Sequence, residues 1–326
     1  SGKNGAWFDD ESALRVYQLI HGQNNGRRFQ VRQVRDDSTA PAATHFRQTL
    51  HVEQDLQYYH GDTDADIFNS ARIPGEGWMW RTLSAEESFT IRLELPAVAT
   101  TAPVCSLRVR VRGITRDAVK PNHHVRIFIN EQMLIETRFS DRADLILRAG
   151  FPSNILQPQD NELRIESVGG TGAAIDLIYL DWLEIDYWRR FDADGQQLAF
   201  TGTAGQSSRT ARYRIDGFSD STVFIFELNN AERLEGVSVS RASATAFAAA
   251  FLDSLAGHRY VATTKSALTS PERIALVTPS NWRDASNRAD MLIISHADFM
   301  QSAQRLAAYR QQHNGFTVAT IDVQDV

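Results

Sequence analysis

Between Phe89 and Trp188 apolar and polar positions alternate with period two, as strands with one buried face require. Phe89, Ile91, Leu93 and Leu95 alternate with Thr90, Arg92 and Glu94. Leu107, Val109 and Val111 alternate with Arg108, Arg110 and Arg112, which predicts one apolar face and one strongly basic face. Val125, Ile127 and Ile129 repeat the pattern, and Asn130-Glu131 supplies a turn into Met133–Ile135. Leu163 and Ile165 mark a further strand. In the last of the set, Ile178, Leu180 and Trp182 share one parity while Leu183, Ile185 and Tyr187 share the other. A β-bulge near Trp182, or burial on both faces, reconciles the two halves. Turn-forming clusters separate these strands with no amphipathic helix between them, so the expectation is an antiparallel β-sandwich of jelly-roll type.

Upstream, Leu14–Ile20 and Arg28–Val34 read as a hairpin across Gly22–Gly26, placed with the same sandwich or with a partner sheet. After Trp188 the character changes. Phe191–Gly195 is a turn, short strands follow at Arg212–Ile215 and Val223–Leu228, and the small residues of Ala242–Leu255 read as helical. Met291–Ile294 is a continuous apolar run suited to a strand covered on both faces. Phe299, Ala303, Leu306, Ala307 and Arg310 then recur at helical spacing, with Asp298 in the first turn and Gly315 just past the end. Phe316–Ile321 returns as a strand, completing a βαβ unit. The expected division is a jelly-roll region at 1–190, a small β-rich subdomain at 191–286 and an α/β segment at 287–326. One βαβ unit cannot bury both faces of a parallel sheet, so the rest of that domain is expected beyond Val326.

Composition narrows the function classes. The net charge of −6, with no long run of Lys or Arg, argues against nucleic acid or an anionic membrane as the main partner. No stretch approaches a membrane-spanning length of apolar residues. The opening residues Ser1–Gly5 contain no apolar run, so any signal peptide is expected to have been removed or to lie outside this sequence. One cysteine, Cys105, rules out an intramolecular disulfide, and its parity with Leu107 makes it a core thiol. His123-His124 lacks further ligands at zinc spacing, and no P-loop, dinucleotide fingerprint or nucleophile elbow occurs.

Three features invite a binding role. Asp62, Asp64 and Asp66 alternate in one loop, as ligands of a hard cation do. An EF-hand would need Gly and Glu where Ile67 and Ile73 stand, so that motif fails, and a solvated turn is the plainer reading. Trp78 and Trp80, with Tyr58 and Tyr59 nearby, could present an aromatic platform to a glycan or peptide, the alternative being core packing. Asp181, in Leu180-Asp181-Trp182, resembles the closing strand of carbohydrate-binding jelly rolls, where the resemblance implies a structural calcium ligand. A pairing of Asp181 with a sandwich arginine is the alternative. No cofactor is required.

The run Leu180–Phe191, followed by Asp194-Gly195 and Leu198-Ala199-Phe200, resembles the boundary after the N-terminal β region of gingipain-type cysteine peptidases. Ala289–His296 with Phe299 is similar to the opening strand of their caspase-like catalytic domain. Leu306, Arg310, Gly315–Val318 and Asp322–Val326 continue that likeness, and Asn122–Asn130 is similar to the family's sandwich. The resemblance implies a Cys-His catalytic pair on later strands, so neither Cys105 nor His296 can be carried over as catalytic. His296 reads instead as a helix-entry residue. The resemblance thus implies a non-catalytic N-terminal region of a secreted or cell-surface Gram-negative peptidase associated with type IX secretion. Its expected partners are its own catalytic domain and a protein or glycan ligand. A carbohydrate- or peptide-binding module and an inactive peptidase-like scaffold are the rival readings.

Overall fold

Four strands, Gln132–Phe139, His123–Ile129, Asn161–Ser167 and Glu87–Leu93, form one antiparallel sheet in that order. Facing it, Asp144–Pro152, Val104–Gly113, Leu177–Arg190 and His45–Glu53 form a second, which Arg81–Ser84 joins by pairing with Leu177–Arg190. Apart from the hairpin His123–Ile129 to Gln132–Phe139, the chain crosses from one of these sheets to the other between successive strands from Glu87–Leu93 onward. This is the expected mainly β, jelly-roll sandwich. The structure is a computed structural model, and it describes residues 26, 28–59, 77–202, 210–254, 257–271, 274, 280–282 and 284–325. The proposed first arm of the hairpin, Leu14–Ile20, and Asp62, Asp64 and Asp66 lie outside the described residues.

The core follows from the alternation. Leu107, Val109 and Val111 point inward against Val125, Ile127 and Ile129, and all six are fully buried. Burying such side chains stabilises the fold by about 1.5–3 kcal/mol each. The register of Leu177–Arg190 against Val104–Gly113 shifts between Leu180 and Leu183, so of the two ways to reconcile the parity change the chain uses the bulge. It turns Ile178 and Leu180, and equally Leu183, Ile185 and Tyr187, onto the core.

The chain divides into two units, Ser1–Leu268 and Thr269–Val326. The first also holds a second apolar core, built from aromatic rings: Phe46, Phe191, Phe200, Tyr213, Phe251 and Tyr260. One of its sheets runs Gln30–Gln33, Glu232–Glu235, Val223–Glu227, Arg259–Thr264, Gln197–Thr201. The other runs Asp192–Gly195, Ala211–Phe218, Phe247–Asp253, Ser238–Arg241, with Ala42–Ala43 beside Ala211–Phe218. Two expectations change here. The run read as helical contains the strand Phe247–Asp253, whose alanines Ala248, Ala249 and Ala250 are buried on both of its faces. Within Arg28–Val34, the strand Gln30–Gln33 pairs in parallel with Glu232–Glu235 in this second assembly rather than with the jelly roll. Arg32 pins it there, 2.5 Å from both Glu232 and the buried Asp253.

In the second unit Met291–Ser295 and Val318–Asp322 pair in parallel, joined by the helix Met300–Asn314. His296 opens the helical segment, its Nδ1 accepting from the Asp298 N–H at 3.2 Å. Gly315 ends the helix in the left-handed conformation, φ 65°, which glycine adopts without steric cost. Ala303 and Ala307 form the buried side of the helix. The strand Met291–Ser295 is not covered on both faces, since Leu292 and Ile294 are 53% and 51% exposed.

Gly113 is a position that only glycine fits. A Cβ there would lie 1.9 Å from the Asp141 carbonyl oxygen and 2.7 Å from His123 Nε2. Gly113→Ala should therefore destabilise the first unit by about 1–3 kcal/mol, the usual cost of overpacking. Gly150→Ala should be tolerated, because its nearest neighbour is Val104 Cγ1 at 3.4 Å. Urea titrations of the two variants check the contrast.

Candidate functional site

Along Val104–Gly113 the arginines occupy the parity opposite to the core, so they line the outer face of their sheet. The neighbouring strand presents Glu184 and Asp186 in register with Arg108 and Ser106. The strand beyond it sets His51 and Thr49 opposite those two acids. The basic face expected from the sequence is thus compensated by carboxylates from adjoining strands. Arg108 lies 2.8 Å from Glu184 and 3.6 Å from Asp186. Asp186 also accepts from the hydroxyls of Ser106, at 3.0 Å, and Thr49. The signal was present in Leu183-Glu184-Ile185-Asp186, where acids alternate with core residues as the arginines do.

Asp181 sits in the bulge, 2% exposed, with Arg110 donating to it at 2.7 Å. Arg110 simultaneously forks onto Asp144 at 3.0 and 2.8 Å. Burial pushes the Asp181 carboxyl up to about 6; Arg110 opposes this, while Glu53 and Asp144 reinforce it. Its partner is therefore a guanidinium, and among the described residues no group of three or more His, Cys, Asp or Glu side chains is arranged to hold a metal ion. His51 lies between Glu184 at 3.1 Å and Glu53 at 3.0 Å. Burial disfavours its charged ring, but the two carboxylates outweigh that and raise its pKa.

The aromatic candidates separate. Tyr58 is half exposed and meets Trp78 edge-on, with ring centroids 5.2 Å apart. Trp80 is only 6% exposed and packs edge-on to Phe89 in the jelly-roll core. Beside them Gln54, Leu56, Gln57, Trp80, Arg81, Thr82 and Phe89 line an open groove of 430 Å³. Cys105 is fully buried in the core, where desolvation raises its thiol pKa, so it is unsuited to act as a thiolate nucleophile. His123, also fully buried, is clamped between the Asp176 carboxylate at 2.6 Å and the Asp141 carbonyl at 2.9 Å. That clamp ties the start of its strand to two loops.

The network has a signed pH consequence. The folded state holds a proton on Asp181 between the ordinary carboxylate range and about 6, so this group's contribution to stability falls as pH rises through that window. His51, its pKa raised, contributes stability below about 6.5 that is lost as pH rises further. Thermal or urea unfolding should therefore show greater stability at pH 5 than at pH 8. Asp181→Asn should flatten the acidic part of that slope, where the roughly one pH unit between 5 and about 6 is worth about 1.4 kcal/mol. An unchanged slope in the variant would assign the pH dependence to other groups.

Residues 284–326 match the model of peptidase family C25. No curated protein sequence matches the chain. Among solved structures, the chain is similar to dimeric latent PorU from Porphyromonas gingivalis, at a TM-score of 0.62 and 16% identity. That likeness covers 91% of this chain and 27% of the other, so the chain spans only part of its relative's length. A likeness to the infectious bursal disease virus Gx strain has a TM-score of 0.25 and 8% identity, over 83% of this chain and 49% of that one, and carries no argument. The β-rich body has the fold seen in PorU, and the segment after it matches peptidase family C25.

Proposed function

We propose that this chain is the non-catalytic N-terminal region of a secreted gingipain-type cysteine endopeptidase. Its two β-sandwich assemblies support or shield a caspase-like catalytic domain, or position protein substrate for it. In this reading 1–190 is the jelly-roll region apart from Gln30–Gln33 and Ala42–Ala43, which join the smaller β subdomain of 191–286, and 287–326 is the opening βαβ of the catalytic sheet. The observation that carries it is the second unit. Its parallel strand pair falls within the residues that match family C25, and it leaves Leu292 and Ile294 half bare. Parallel sheets are ordinarily covered on both faces, so those side chains suit further strands and helices of the same domain. The only cysteine is sealed in the jelly roll, which leaves nucleophilic catalysis to residues outside this chain. The likeness to PorU supports a secreted or cell-surface location in a Gram-negative bacterium and export by the type IX route.

A second reading rests on Tyr58 and Trp78. An exposed tyrosine edge-on to a half-buried tryptophan, next to a groove lined by amide, hydroxyl and guanidinium groups, suits a glycan or peptide ligand. The peptidase reading is tested by incubating the purified chain with casein under reducing conditions. No cleavage is expected from this chain, whereas the parent protein containing the complete catalytic domain should cleave. Hydrolysis by the chain itself would contradict the proposed division of labour.

A further inference from the structure

The outer face of the jelly roll holds an arrangement that the fold does not need. Arg148 and Arg108 stand directly opposite each other across Asp144–Pro152 and Val104–Gly113. Like charges in that relation destabilise a sheet. Arg108 is compensated by Glu184 and Asp186, but no ion pair joins the exposed Arg148 to any described carboxylate. Across the sheet Arg47, with its side chain 51% exposed, reaches Asp186 only at 4.0 Å and lies over the Trp188 ring at 5.7 Å. Between these cations Ser106, Arg108, Arg148, Gly150 and Asp186 line a shallow groove of 350 Å³. The acid that lines it, Asp186, is already occupied by Ser106, Thr49 and Arg108, and the neighbouring Glu184 by His51 and Arg108. The groups that face solvent are therefore guanidinium, flanked by the exposed apolar side chains of Ile146 and Val104.

The geometry points to this groove as a docking site for an extended, acidic peptide segment whose carboxylates are received by Arg148, Arg108 and Arg47. Guanidinium forks suit carboxylates because two parallel N–H groups meet two oxygens. The strand carrying Arg148 and the strand carrying Arg47 are three strand spacings apart, about 14 Å. A single small anion cannot bridge that span, whereas a chain with acidic side chains at alternate positions can. Ile146 and Val104 offer contact to the apolar residues between them. The inference stands on the jelly roll alone and is independent of the peptidase reading.

The test is fluorescence anisotropy on the full chain, using a labelled peptide of alternating Glu and Val residues and its Gln counterpart. The acidic peptide should bind, and the Gln peptide should bind about tenfold more weakly or worse, as expected for loss of a charge-assisted contact. Arg148→Gln should weaken the acidic peptide by a similar factor, while Arg92→Gln, on the opposite sheet, should leave it unchanged. Arg47→Gln serves as the second variant if Arg148→Gln fails to give the parental circular dichroism spectrum. Equal binding of the two peptides, or undiminished binding by a folded Arg148→Gln or Arg47→Gln chain, would overturn the inference. So would displacement of the peptide by inorganic phosphate at the peptide's own concentration, which would mark a simple anion site.

Discussion

The bulge between Leu180 and Leu183 is the constraint on which the larger unit depends. Without it, the strand Leu177–Arg190 could bury Ile178 and Leu180 or Leu183, Ile185 and Tyr187, but not both sets. Each large side chain left outside would forgo about 1.5–3 kcal/mol of burial. With the bulge, one strand serves the core along its length and pairs with Val104–Gly113, His45–Glu53 and Arg81–Ser84. The same irregularity holds Asp181 out of the regular ladder, where Arg110 meets it. The acidic partner of the central arginine thus follows from the packing rather than from a separate device.

That strand also leads directly into the second core. Phe191 follows Arg190 and lies among the aromatic rings, beside Phe46 from the jelly-roll strand His45–Glu53. Two chain segments therefore contribute to both assemblies, and Arg32 anchors a third to the aromatic one. The buried Asp253 makes this last contact matter: it accepts from Tyr260 and is charge-paired with Arg32, so removing the arginine would take a charged partner from a buried carboxylate.

Much of this architecture is legible in sequence because it is local. Period-two alternation marks the jelly-roll strands, the parity change marks the bulge, and Gly315 marks the helix end. The features that are not legible depend on neighbours distant in sequence. Phe247–Asp253 looks helical because alanine favours helices, yet pairing with Ala211–Phe218 on one side and Ser238–Arg241 on the other makes it a strand. Nothing within Gln30–Gln33 specifies parallel pairing about two hundred residues away. The arginine face looks strongly basic until Glu184, Asp186, Asp144 and Asp181 are brought against it. Trp80 and Trp78 look alike in sequence, but only the fold shows that Trp80 is core.

The proposed function turns on where the nucleophile of such a parent peptidase would reside. The most direct measurement is labelling of the intact parent protein with an electrophilic cysteine-peptidase probe, followed by peptide mass mapping of the modified thiol. The account predicts modification on a cysteine downstream of Val326, with Cys105 unlabelled until the protein is denatured. Labelling of Cys105 in the native protein, with loss of activity, would contradict it.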